Sequence, residues 1–390
     1  MNSENRNIES ASGERKRVST TVPLDWSEVY FTNCPMVSAN NIDQELQWCK
    51  TDFKHIGVDY SFFRSRPENN WYPHYIHNLD NLIRFGGLYP AVHVHADLRP
   101  TRLLGATWVY EGGSMMVRSR DPISNMAGLK GKRIGMSKSL NTIKNDWWRV
   151  TEHSGILNML ELNDMSLDDV EIVEIAYEDD WYDDPKMMAS MLNPTDLWGR
   201  RNHKHDMAFR PLESALLAGE VDAIFSGSNY FQHLQEDTGK LKTIEDLSRY
   251  PDWTKQVSNT PAVITCTDVM AEKHPELVVT YMKAMIKVGR WANEHKRAAA
   301  AILNRQTFYR DEDDTYESIK HVDMVPNLSP QNLECADIGK EFMHSHGYID
   351  NDFDIAEWAE PKFLKQAFNE LRDEEWDKWE SASTPASVRP

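Results

Sequence analysis

The sequence is poor in positive charge and in cysteine, and both shortages narrow what it does. Lys and Arg number 43 against 61 Asp and Glu, a formal net charge of −18. Nucleic acids and anionic membrane surfaces are gripped through basic faces, so neither is expected as a partner, whereas a small anion needs only a few local donors. The four cysteines, Cys34, Cys49, Cys266 and Cys335, are widely spaced and form no C-x-x-C pair. That usage suits a reducing cytosol rather than a disulfide framework, and any cysteine with a special role acts alone. No run approaches the ~20 apolar residues that a bilayer span requires. Residues 1–20 are polar and lack the apolar segment of a secretory signal, so a disordered lead-in and a cytoplasmic location are expected. Walker-type, G-x-G-x-x-G and G-x-S-x-G loops are missing, and no cofactor is expected.

What is present is enough for a sizeable core. At 390 residues and 40% hydrophobic content, the chain should divide into two lobes. A β-prone run from Ser27 is stopped by Asn33 and Pro35, which puts Cys34 just beyond the C-terminal end of a strand, the edge where open α/β sheets bind ligands. Asn41 to His55 carries a helical stripe, and the residues after Gly57 read as the next strand. From His74, the spacing of Ile76, Leu79, Leu82 and Ile83 predicts a helix ending at Arg84-Phe85-Gly86-Gly87, where glycine suits a cap. Two strands are expected over Tyr89 to His95 and Thr101 to Tyr110. A second α/β unit is expected with strands at Arg133 to Met136, Val170 to Ile175 and Val221 to Phe225, and a short helix at Leu212 to Ala218. An acidic stretch, Tyr177 to Asp184, and a polar basic one, Asn193 to Asp206, read as surface insertions of that unit. The chain is expected to return to the first lobe at Ala262, followed by a core helix over Pro275 to His295. The expected division is 1–20 lead-in, 21–112 with 262–376 as lobe 1, 113–261 as lobe 2, and 377–390 as a flexible tail. No internal sequence repeat is visible.

Chemistry concentrates at Cys34 and in the stretch His74 to Gly87. An imidazole or a cation beside a thiol favours its ionised form, and a guanidinium offers a forked pair of donors to an anion. Each residue also has a plainer role. An isolated cysteine is usually a small buried apolar group. His77 competes with His74, Arg84 suits the last turn of a helix, Gly86 and Gly87 suit a cap, and the serines after Met136 suit helix capping. Trp147 and Trp148 fit an aromatic pocket or a core equally. His93, His95 and Asp97 alternate on the strand expected there, so they face one way and form a rival zinc set, with His203, His205 and Asp206 as further ligands. No H-E-x-x-H accompanies them, and no metal is expected.

Several runs carry a family resemblance. They are Asn33-Cys34-Pro35, Arg84-Phe85-Gly86-Gly87, the stretch Thr101 to Gly105, the stretch Gly128 to Gly135, Trp291-Ala292 and the stretch Glu357 to Leu364. In order and content the chain resembles the two-lobed periplasmic-binding-protein fold (type II) of sulfonate-type receptors, each lobe a mainly parallel sheet flanked by helices with the ligand cleft between them. Within that group it is more specifically similar to the 2'-hydroxybiphenyl-2-sulfinate desulfinases, cytoplasmic enzymes that release sulfite from an aromatic sulfinate. The resemblance implies a catalytic thiol at Cys34, a histidine partner at His74 and a sulfinate clamp at Arg84 and Gly87, with Thr32 and Gly86 completing the substrate-binding set. It also implies a small anionic aromatic substrate, and a monomer is expected. Two positions depart from the family pattern: Thr32 replaces a serine while keeping the hydroxyl, and Leu79 replaces a glutamine. The alternatives are a non-catalytic solute receptor for a sulfonate-like or carboxylate anion, which would need an export signal or anchor, and a decarboxylase or other lyase on the same scaffold.

Overall fold

The computed structural model describes residues 8–9, 15–16, 26–108, 112–179, 190–193, 210–227, 229–256 and 260–383. Two five-stranded sheets organise them. The first contains β1 (Glu28–Asn33), β2 (Asp59–Phe62), β3 (Leu82–Gly86) and β4 (Thr101–Thr107). The second contains β5 (Ser114–Arg118), β6 (Arg133–Ser139), β7 (Glu171–Tyr177), β8 (Ala223–Ser226) and β9 (Leu241–Asp246). The chain then returns to the first sheet with β10 (Ala262–Thr267).

Strand order is β2-β1-β3-β10-β4 in the first sheet and β9-β5-β8-β6-β7 in the second. In the first, β1 runs parallel to β2 and β3, and only β10 is reversed, pairing antiparallel with β3 and β4. In the second, β6 runs parallel to β7 and β8, and only β5 is reversed, between β8 and β9. Both sheets are therefore mainly parallel, as expected. Each reversed strand is the one by which the chain enters that sheet from the other.

The inner strands are apolar because helices cover them on both sides, whereas the edge strand β7 is partly exposed. On one face of the first sheet lies the helix Pro275–Glu294, with proline in its first turn and Leu277, Val278, Tyr281, Met282, Met285 and Ile286 buried. Gly289 lets that helix approach residues 324–325, since a Cβ there would sit 2.5 Å from the Met324 carbonyl oxygen. The opposite face packs Leu88, Tyr89, Val92 and Trp358. Val150 joins this cluster from the helix Trp147–Glu161. That helix flanks the second sheet, so it also docks on the first lobe; its His153 Nδ1 lies 3.0 Å from the Tyr348 hydroxyl. Two further clusters cover the second sheet, one around Met115, Ile134 and Phe225 and the other around Met116, Leu216 and Ile224.

Several expectations are corrected. The helix expected from His74 to Ile83 is one short turn, Pro73–Ile76, followed by the strand β3. His77 takes the left-handed conformation (φ 50°) and ends the turn, and the chain then extends. Arg84 is consequently a mid-strand residue. The strand expected over Tyr89 to His95 is instead the helix Leu88–His93, continued by a wider turn over Val94–Leu98, so the alternation behind the zinc reading does not exist. His95 Nδ1 lies 3.2 Å from Thr101 Oγ1, with its ring stacked on Trp358. Asp97 accepts from the backbone N–H groups of Asp350 and Asn351. Among the described residues, no group of three or more His, Cys, Asp or Glu side chains is placed to hold a metal. His203, His205 and Asp206 lie outside the described residues, as does most of the acidic stretch from Tyr177. The helical stripe after Asn41 is two helices, Ala39–Leu46 and Trp48–His55, separated by Gln47 with φ 57°. The closing helix, Pro361–Ser383, continues past residue 376, where the tail was expected to begin. Among the described residues no helix is long and apolar enough to cross a membrane.

Candidate active site

The site lies where β1 and β3 end. Parallel pairing sets Thr32 beside Arg84 and Asn33 beside Phe85. Side chains two residues apart on a strand share a face. Thr32 and Arg84 therefore point to one side, and so do the next positions on that face, Cys34 and Gly86. Gly86 is what makes room: a Cβ there would fall 2.9 Å from Cys34 Sγ and 2.9 Å from Arg84 Nη2. The thiol and the guanidinium meet over a bare stretch of backbone.

Cys34 leaves β1 in a bend held by its own carbonyl, which accepts from Met36 N at 2.8 Å and from Asn41 Nδ2 at 3.0 Å. It is the one partly exposed cysteine; Cys49, Cys266 and Cys335 are buried, and all four are free thiols. Burial pushes the Cys266 and Cys335 thiols well above their ordinary range, which suits inert core residues.

His74 comes from the turn Pro73–Ile76. Its Nε2 lies 3.2 Å from Cys34 Sγ and its Nδ1 2.7 Å from Thr32 Oγ1. When Nδ1 carries the proton and donates it to Thr32, Nε2 is left as the acceptor for the thiol proton. The ring is buried, and Tyr75 packs against its edge at 4.8 Å between centroids. Burial first, then the Arg84 charge and His77, hold the imidazole well below its usual pKa. It is a neutral base at neutral pH, not an imidazolium. His77, the competing histidine, turns away: its Nε2 lies 3.0 Å from the Leu82 carbonyl oxygen.

Arg84 is 1% exposed. Its Nε donates to the His74 carbonyl at 2.9 Å, which ties the guanidinium to the histidine backbone. Nη1 and Nη2 have no hydrogen-bond partner. Burial lowers the Arg84 pKa, and negative charge on Cys34 would oppose that fall. A buried cation with two open donors beside a thiol is arranged for an incoming anion. Gly87 begins the helix Leu88–His93 with φ −58°, a conformation open to any residue. Leu79 is packed in the core of the first lobe.

The second lobe reaches the turn that carries His74 through residues 140–146, between β6 and the helix Trp147–Glu161. Asn141 Nδ2 donates to the Tyr72 hydroxyl at 3.3 Å. Ile143 packs with Tyr72 and Ile76, with Tyr75 alongside. The Lys144 ammonium sits 5.3 Å from the centre of the Tyr75 ring. These contacts reach the turn that carries His74, and only the composition of the segment, rich in serine and asparagine, hinted at them. Trp147 and Trp148 stack on each other at 3.9 Å; Trp147 packs into the cluster joining the lobes, and Trp148 lies under the Arg210 guanidinium. Both serve packing.

This arrangement is the two-lobed periplasmic-binding-protein-like fold. The sulfonate-binding protein SsuA of Methylobacillus flagellatus superposes on it with a TM-score of 0.60 at 15% identity, over 88% of this chain and 94% of that one. Within that fold the chain is similar to the 2'-hydroxybiphenyl-2-sulfinate desulfinase of Rhodococcus erythropolis. It is 25% identical to that protein over 320 residues, which cover 77% of this chain and 84% of the relative. The crystal structure of a cysteine-to-serine mutant of the desulfurization enzyme DSZB with biphenyl-2-sulfinic acid superposes with a TM-score of 0.67 at 20% identity, over 88% of this chain and 99% of that one. No family model matches the chain.

Proposed function

We propose that the chain is a desulfinase that cleaves the C–S bond of an aromatic sulfinate, 2'-hydroxybiphenyl-2-sulfinate or a close relative, and releases sulfite without a cofactor. The observation that carries this reading is the buried Arg84 guanidinium, with Nη1 and Nη2 unpartnered, beside the Cys34–His74 pair. The similarity to the desulfinases supports the choice of sulfinate over other anions. The sulfinate oxygens take the two open donors of Arg84, and the N–H of Gly87 adds a third. Thr32 holds the ring of His74, and His74 takes and returns the Cys34 proton. The four free cysteines fit a cytoplasmic location.

Two routes use these atoms. In one, Cys34 Sγ bonds to the substrate sulfur as the C–S bond breaks, and the thiol proton, carried by His74, goes to the ring carbon. Water then resolves the thiosulfonate-type adduct to sulfite and restores the thiol. In the other, Cys34 protonates the ring carbon while sulfur dioxide departs; its hydration gives sulfite and the proton that restores the thiol. Adduct mass in rapidly quenched turnover separates the two routes.

The test is sulfite release from 2'-hydroxybiphenyl-2-sulfinate by the purified protein, expected for the native chain and lost in Cys34→Ser. Unchanged turnover in that variant overturns the thiol assignment. Tight binding of the sulfinate with no release by the native chain overturns the enzyme and leaves an anion receptor.

A further inference from the structure

The loop facing His74 has each of its polar side chains accounted for except one. Ser139 Oγ donates to Asp179, and Asn141 Nδ2 donates to the Asp179 carbonyl and to Tyr72. Lys144 pairs with Asp179 at 2.5 Å, both almost fully buried. Asp146 accepts from Ser139 N and Arg149 N. Thr142 is also engaged. Asn145 is the exception: it is 7% exposed, and neither Oδ1 nor Nδ2 has a partner. A buried amide with both ends unmade is unfavourable, and its neighbours hold the loop without it.

Position and chemistry indicate what this amide meets. The contacts of Asn141, Ile143 and Lys144 with Tyr72, Tyr75 and Ile76 set the loop against the turn that carries His74. Asn145 is the next residue of that loop, buried and without a partner. The group it takes is neutral: the nearby Lys144 charge is already matched by Asp179, and the adjacent Asp146 carboxylate disfavours another anion. A primary amide both donates and accepts, which matches a hydroxyl. Ile143, two residues earlier in the loop, packs with Tyr72 and Ile76, an apolar setting that suits an aromatic ring bearing that hydroxyl.

We infer that Asn145 is the substrate-binding residue that reads a hydroxyl on the ring that does not carry the anionic group, so that the first lobe holds the anion at Arg84 and the second lobe selects the other ring. The inference rests on the aryl-sulfinate reading and adds a specificity residue to it. The site then discriminates through a polar group that goes unpaired when the hydroxyl is missing, a strong form of selection.

The experiment compares kcat/KM for 2'-hydroxybiphenyl-2-sulfinate and biphenyl-2-sulfinate in the native chain, Asn145→Leu and Asn145→Ala. The native chain is expected to prefer the hydroxylated substrate by about 10- to 100-fold, the scale of leaving one buried polar group unpaired. Both variants are expected to reduce that ratio to near one, and the alanine variant, which adds no bulk, gives the result if the leucine variant does not fold. A ratio that survives in the variants, whether or not overall activity falls, overturns the inference, as does a native chain with no preference. Sulfite from neither substrate with the native chain overturns the aryl-sulfinate reading itself, a result distinct from a flat ratio with active enzyme.

Discussion

Replacing Gly86 by alanine tests the site at the point where its two reactive groups meet. Gly86 is not among the glycines with positive φ, so the backbone accepts alanine and the change is one of space alone. The added methyl would sit 2.9 Å from both Cys34 Sγ and Arg84 Nη2, against ordinary contacts that begin at 3.4 Å. One or both groups must retreat by about 0.5 Å, the tolerance within which a catalytic constellation is held. Neither is free to do so independently, since Sγ is bonded to His74 Nε2 and Arg84 Nε to the His74 carbonyl. A displaced guanidinium raises KM, and a displaced thiol lowers kcat. Because misplacement by about 1 Å costs on the order of 10²-fold, Gly86→Ala is expected to lose about 10- to 100-fold in kcat/KM for sulfite release. Overpacking should lower stability by about 1–3 kcal/mol. Steady-state sulfite assays with parallel thermal unfolding read both effects. A variant within twofold of the parent in kcat/KM would refute the claim that thiol and guanidinium act together over this glycine.

Arg84→Met should abolish sulfite release while leaving the unfolding temperature, measured without anion, no lower than that of the parent, because it removes a buried cation whose terminal nitrogens have no partner. Sulfite at about 100 times its Kd should stabilise the parent by about 2.7 kcal/mol and the variant not at all, read by thermal shift; a variant that still gains would refute the clamp. For pH dependence, burial lowers His77 to about 3, whereas the unfolded chain binds that proton near pH 6.5. The stability due to neutral His77 is therefore complete above pH 6.5 and is lost as pH falls towards 3. His77→Asn, which tolerates the left-handed conformation, should flatten the fall in unfolding free energy between pH 6.5 and 4.5 by about 2.5 kcal/mol relative to the parent. Parent and variant must be compared because Asp43 and Glu152, raised by burial to about 7 and about 8, act in the opposite direction. Equal slopes in denaturant titrations at the two pH values would refute the assignment.

The sequence made Cys34 legible because a β-prone run followed by Asn33 and Pro35 has few other outcomes. The path from His74 to Arg84 was not legible, for a physical reason. Ile76, Leu79, Leu82 and Ile83 fit a 3.6-residue period, yet a strand buried on both faces also reads as a short apolar run, and periodicity alone does not separate the two. The discriminating signal lay in Asn78, Asp80 and Asn81, turn-formers inside the supposed helix. The Thr32 hydroxyl is directed at His74 Nδ1, a pairing across 42 residues that only the strand register creates. His93, His95 and Asp97 show the converse error, where alternation in sequence was mistaken for a strand through a helix. Asn145 gave no sign at all, since an asparagine in a serine- and asparagine-rich turn looks ordinary until its neighbours' hydrogen bonds are assigned.

The reversed strand β10 has a consequence for the order in which the molecule can be built. It lies between β3 and β4, yet it is made only after β5 to β9 are complete. Until residue 267 has been synthesised, β3 has no partner on that side, and the strand bearing Arg84 is an apolar open edge. The second sheet, by contrast, is contiguous in the chain and needs nothing that comes later. The emerging polypeptide can therefore complete its second lobe first, and the first lobe closes only when β10 arrives. A chain cut short between Asp246 and Ala262 would carry Cys34 and Arg84 on an unfinished sheet prone to edge-to-edge association.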